Sequence, residues 1–163
     1  MNSSRDLFTQ LIAAAQALAS TAMTATKTDC PVVDLRDFPA GSVVGFLVHV
    51  TAAGTADASN FFEFLLHEAD EKTSSTALTS GTLVADADLL GFTRDGVLIS
   101  GEGPNPVVNS TTDAGKVFWF SYRGYKNCVQ LVPTETGTAA ITASAIPIVF
   151  TGGTVNSKAA LNT

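Results

Sequence analysis

Histidine and cysteine are nearly missing from this chain. Its 163 residues hold two of each: His49 and His67, Cys30 and Cys128. Nucleophilic catalysis and transition-metal binding draw heavily on those residue types, so their scarcity removes most enzyme classes. Each histidine falls at a strand position facing away from an apolar stripe, which reads as solvent-facing or interface placement. No Gly-x-Ser-x-Gly elbow accompanies them, and nothing in the spacing pairs either cysteine with a histidine. Carboxylates gather at His67-Glu68-Ala69-Asp70-Glu71 and at Asp86-Ala87-Asp88, but neither stretch follows the twelve-residue calcium loop, and both read as solvated strand ends. Gly101-Glu102-Gly103 lacks the helix and lysine that a phosphate cradle requires. The chain reads as a non-enzyme that uses neither metal nor cofactor.

Charge is also scarce. Charged residues make up 15% of the chain, and their balance is acidic, with a net charge of −6 and a pI near 4.6. Phosphate backbones repel such a chain, so nucleic acid is excluded as a direct partner. No run of about 18 apolar residues is present, which gives no membrane helix. One pair of cysteines makes no disulfide framework, and Cys128 alternates within a strand, so two buried free thiols are expected. Leu7–Ala19, with Ala17-x-Ala19, has the look of a secretory leader. However, Arg5 is cancelled by Asp6, and Thr9, Gln10 and Gln16 interrupt the apolar run, which argues against one.

What the chain does have is hydrophobic residues, 45% of the total, and polarity supplied by Thr, Ser and Asn. Residues 1–29 form an Ala/Thr-rich N-terminal arm. Within it, Ser3 and Asp6 form a weak capping box, and Leu7, Leu11, Ala14 and Leu18 recur at helical spacing, which fits a short helix near 4–18; Thr21, Thr24, Thr26 and Thr28 fit an extended arm equally, and the sequence does not choose between them. Its apolar residues Leu7, Phe8, Leu11 and Ile12 need a surface, on this chain or on a neighbour.

The body, 30–150, reads as an all-β domain of seven or eight strands. Pro31–Leu35 is an edge strand because of its proline. Ser42–Thr51 turns Val44, Phe46, Val48 and Val50 to one face, and Phe61–Glu68 does the same with Phe62, Phe64 and Leu66. Gly96–Ser100 is a further short strand, followed by a long loop, 101–112. Lys116–Phe150 reads as an antiparallel meander of three strands with reversals at Arg123–Asn127 and Glu135–Thr138. Two sheets packed as a β-sandwich, in Greek-key or jelly-roll order, follow from that pattern. Residues 151–163 are a tail. In the meander, alternation makes Trp119 buried packing, while Tyr125, in a turn beside Arg123 and Lys126, is the better exposed contact.

Several pieces, in order, resemble the cement (head decoration) proteins of tailed bacteriophages. Gln16-Ala17-Leu18 followed by Val32-Val33-Asp34-Leu35 is similar to that family's arm and first strand. Val44–Ala53 resembles its Val-x-Val-Thr-Ala-Ala strand, and Phe62–Asp70 its Phe-x-Leu-x-Glu-x-Asp strand. Ser121–Leu131 with Thr136-Gly137-Thr138 resembles its Tyr-x-Gly hairpin and Thr-Gly-Thr turn. Asn127, Cys128 and Gln130 replace the basic and aromatic residues of that hairpin.

The resemblance implies a jelly-roll or β-sandwich virion protein, a homotrimer on the outside of an icosahedral head near three-fold positions. There it would bridge major capsid subunits, having assembled in the bacterial host cytoplasm. Interface candidates are Leu7, Phe8, Leu11, Ile12, Arg123, Tyr125 and Lys126. The alternatives are a carbohydrate- or receptor-binding sandwich built on Trp119, Tyr122, Tyr125 and the 101–112 loop, or a tail or neck component of the virion.

Overall fold

The computed structural model describes residues 11–13, 17–92 and 105–150. Thirteen strands lie among them: β1 (Leu11–Ala13), β2 (Leu18–Met23), β3 (Val32–Asp34), β4 (Val43–Ala52), β5 (Phe61–Ala69), β6 (Lys72–Ser74), β7 (Ala77–Leu78), β8 (Thr82–Leu83), β9 (Leu89–Phe92), β10 (Val107–Val108), β11 (Val117–Tyr122), β12 (Cys128–Thr136) and β13 (Ile141–Phe150). The described residues are all-β, with helical geometry confined to short 3₁₀ turns. Sheet A runs β9–β11–β4–β13, with β1 and β2 both paired along the far side of β13. Sheet B runs β10–β5–β12–β3, with β8 beside β5, and β6–β7 is a separate hairpin. Every pairing is antiparallel.

The apolar stripes meet as their period requires. Val44, Phe46, Val48 and Val50 of β4 and Phe118, Phe120 and Tyr122 of β11 share one buried core with Phe62, Phe64 and Leu66 of β5 and Val129 and Leu131 of β12. Phe46 and Phe120 are cross-strand partners with ring centroids 5.7 Å apart. The proline-led strand β3 is the edge of sheet B, as its sequence predicts.

One expectation changes and one open alternative is decided. Lys116–Phe150 does contain three strands, but they are not a meander. β11 pairs with β4 and β9, β12 with β5 and β3, and β13 with β4 and the arm. Both reversals cross between sheets, which in sandwiches lie about 10 Å apart. Crossing sets the inward stripes of successive strands on opposite sides of one core, where a meander would set them side by side.

The second concerns the arm, where strand at 11–13 and 18–23 decides for the extended alternative over a helix near 4–18; residues 4–10 and 14–16 lie outside the described residues. The edge of β13 supplies the reason. Its backbone groups need partners, and an Ala/Thr segment provides them as a strand while burying Ala17, Leu18 and Met23. The predicted strand 96–100 and the tail 151–163 also lie outside the described residues.

The pairs β2·β13, β3·β12, β4·β11 and β5·β10 are nested, the first strand of each set matched to the last. This nesting brings distant parts of the chain to one end of the sandwich.

Candidate functional site

That end is organised by Tyr122, the last inward residue of β11 and 1% exposed. Its hydroxyl donates to Glu68 Oε2 across the sandwich at 2.5 Å and accepts from the Lys126 backbone N–H at 2.8 Å. Glu68 follows Phe62, Phe64 and Leu66 in the inward register of β5, which is why a carboxylate faces this phenol. Burial, reinforced by Glu68, holds the Tyr122 phenol well above the usual tyrosine range, so it remains a neutral donor. Gly124 covers the ring so closely that a Cβ there would sit 2.1 Å from it. Only glycine permits that approach.

The crossover loop 123–127 is thereby fixed. Arg123 N–H donates to Asp88 O at 2.7 Å, and the Leu35 N–H donates to Asn127 O at 2.7 Å. Lys126 Nζ reaches Asp70 Oδ2 at 2.6 Å, and Asn127 Nδ2 reaches Asp70 O at 3.3 Å. At the tip, Tyr125 is 79% exposed. A tyrosine displayed on a pinned loop loses little freedom on contact, which favours binding.

The interface candidates from the two ends of the chain converge here. Tyr122 pairs with Val44 and Val44 with Val149; the next row is Val43, Phe150 and Leu11, and Arg123 leaves β11 at that same end. Two strand spacings, about 10 Å, separate Val43 from Leu11. Val43 and Phe150 are exposed. Leu11 and Ile12 lie on β1 against Phe150 and Val149. Leu7 and Phe8 lie outside the described residues.

Trp119 is not core packing. Phe118 and Phe120 take the inward face, which puts Trp119, half-buried, on the outer face of sheet A. There its ring lies over Gly45, where a Cβ would come within 2.2 Å, and meets Phe150 edge-on at 5.8 Å. With Tyr122 inside the core, Trp119, Tyr122 and Tyr125 form no shared stacking platform. Glycine in the middle of the strong strand β4 was the signal in the sequence for this approach; the exposure of Val43 and Phe150 had none.

The carboxylate cluster after β5 is engaged by neighbours. Glu68 holds Tyr122, Asp70 holds Lys126, and Glu71 takes Arg36 Nη1 at 2.8 Å. Arg36 also grips Asp34 through Nε and Nη2, each at 2.9 Å, and Lys72 Nζ lies 3.1 Å from the same carboxylate. Arg36, with Lys72 behind it, holds the Asp34 carboxyl well below the usual carboxylate range. Among the described residues no group of three or more His, Cys, Asp and Glu is arranged to hold a metal. Both cysteines are free and buried, and burial pushes the Cys30 thiol up to about 11. His49 is exposed on the outer face of sheet A, and His67 is half-buried on the outer side of β5.

Compared with family models, with curated proteins and with solved structures, the chain gives no match.

Proposed function

We propose that this chain is a structural virion protein, a cement protein that binds the outside of an icosahedral phage head near three-fold positions and bridges major capsid subunits as a homotrimer. The observation that carries the reading is the convergence at one end of the sandwich. Interface candidates from the arm, Leu11 and Ile12, and from the 123–127 loop come to that same end, with Tyr125 held out on a loop fixed by five hydrogen bonds. The nested strand order supports the jelly-roll form of the sandwich, the form that the cement-protein resemblance implies. A clip of this kind gains avidity by holding several subunits at once, so modest individual contacts suffice.

The test is co-sedimentation with expanded heads assembled from the major capsid protein of the same phage. The wild-type protein is expected to bind. Arg123→Ala combined with Tyr125→Ala is expected to weaken binding about tenfold or more, while circular dichroism and melting temperature stay unchanged. Wild-type protein that never sediments with heads sinks the reading.

A further inference from the structure

The outer face of sheet A bears the exposed hydrophobics Val43, Val117, Ile146 and Phe150, with Trp119 half-buried among them. These belong to three adjacent strands in register: Leu47 lies between Trp119 and Ile146, and Val43 beside Phe150. The outward positions of β4, β11 and β13 carry no Asp, Glu, Lys or Arg. His49 is the one titratable side chain among them.

We propose that this face is the self-association surface, and that its occupant is a second copy of this chain. Charge argues for that occupant. A chain of net charge −6 repels its own copies wherever carboxylates meet, and the neutral face is where two copies approach without that cost. Dimensions are compatible. β4 and β13 are ten residues long and β11 six, which at about 3.4 Å per residue and 4.8 Å per strand makes about 420 Å² of flat sheet, to which the side chains standing on it add accessible area. A contact at the lower end of interface sizes fits on that patch. Val43 and Phe150 border the end that bears Arg123, so the self-contact centres on Val117, Trp119 and Ile146, and the loop tip at 124–126 lies past the end of β11, outside that centre. The inference names the self-contact of the cement reading and rests on that reading only for the number of copies; in a trimer each copy meets its two neighbours through different parts of this face, as a closed three-fold contact requires.

Sedimentation equilibrium of the purified protein tests it without any capsid. The wild-type chain is expected to run well above its 16.8 kDa monomer mass at tens of micromolar. Ile146→Asp and Val117→Asp place a carboxylate on positions that are already solvent-accessible, so both variants should fold. Each should weaken association at least 30-fold. Leu83→Asp alters an equally exposed apolar residue on β8 of sheet B and should leave the mass unchanged. A monomeric wild type at every concentration overturns the proposal, as does an oligomer that survives both face substitutions. If both variants remain oligomeric but no longer sediment with heads, the face meets the shell: the proposal fails and the cement reading stands. Face-dependent oligomers that ignore heads uphold the proposal and remove the cement reading.

Discussion

The two outer faces of the sandwich are treated in opposite ways. On sheet B the outward residues of β12 are closed over by the chain itself. Gln130 is 5% exposed, and its amide nitrogen donates to the carbonyls of Thr28, Cys30 and Thr76, at 3.1, 2.6 and 2.8 Å. Those acceptors belong to the segment entering β3 and to the β6–β7 turn. Cys128 lies beneath Arg36, whose Nη2 is 3.8 Å from its sulfur. On sheet A the matching positions of β4, β11 and β13 are uncharged, and Val43, Val117, Ile146 and Phe150 among them are exposed. Both faces carry hydrophobic outward residues, but those of β12 are covered, while four on β4, β11 and β13 are exposed. Burial of the first belongs to folding; the second is the surface proposed above for self-association.

The largest effect is expected where the covered face is opened. Gln130→Ala deletes a donor shared by three carbonyls. The expected cost is about 2–4 kcal/mol, from carbonyls left without their donor. For a chain of this size that lowers the melting temperature by about 5–15 °C. A thermal melt followed by circular dichroism reads it directly. A fall of less than about 2 °C would mean that the covering segments are held by something other than Gln130.

Acid should loosen the same side of the molecule next. The folded carboxyl of Asp34 lies below its unfolded value of about 3.9, so its pairing with Arg36 and Lys72 contributes stability at all pH values above that. The contribution fades as pH drops through 4 towards the folded value. Asp34→Asn should therefore be less stable than wild type at pH 7 and pH 5, and the gap in urea midpoint should narrow at pH 3. A gap that is constant with pH would assign the effect to lost hydrogen bonds instead of charge.

Strand identity was legible because it depends on local pattern. The period-2 stripes of Val44–Val50 and Phe62–Leu66 predict their inward faces, and Pro31 predicts an edge. Strand partnership was not legible in the same way. Nothing between Tyr122 and Cys128 distinguishes a hairpin that returns to its own sheet from a loop that crosses to the other, because both need five residues with a glycine. The arm stayed open between helix and extended strand for a related reason. Leu7, Leu11, Ala14 and Leu18 fit a helical period, yet the vacant edge of β13 decides the outcome, and that edge exists only once the sandwich has formed. At the candidate site, exposure of Tyr125 followed from turn chemistry. Its fixation by Tyr122 and Glu68 did not, since the two residues lie 54 apart and meet only across the sandwich. Trp119 shows how far alternation reaches: it requires Trp119 to oppose Phe118 and Phe120 but leaves open which side is the core.

The smallest effect, and the sharpest contrast, comes from one methyl-bearing outward residue on each face. Val132 on β12 is 5% exposed, and Ile146 on β13 is 38% exposed. Both point away from the central core, so alternation alone treats them as equivalent solvent-side positions. Burial separates them. Val132→Ala should cost about 1–3 kcal/mol, because it leaves a gap under covering segments that cannot fully collapse into it. Ile146→Ala, measured at a concentration low enough to keep the chain monomeric, should change stability by no more than about 0.5 kcal/mol, as most surface substitutions do. Raising the concentration should reveal the cost of Ile146→Ala as weaker self-association. Equal costs for the two substitutions in the monomer would mean that the outer face of sheet A is already covered by this chain's own residues, and the contrast between the faces would disappear.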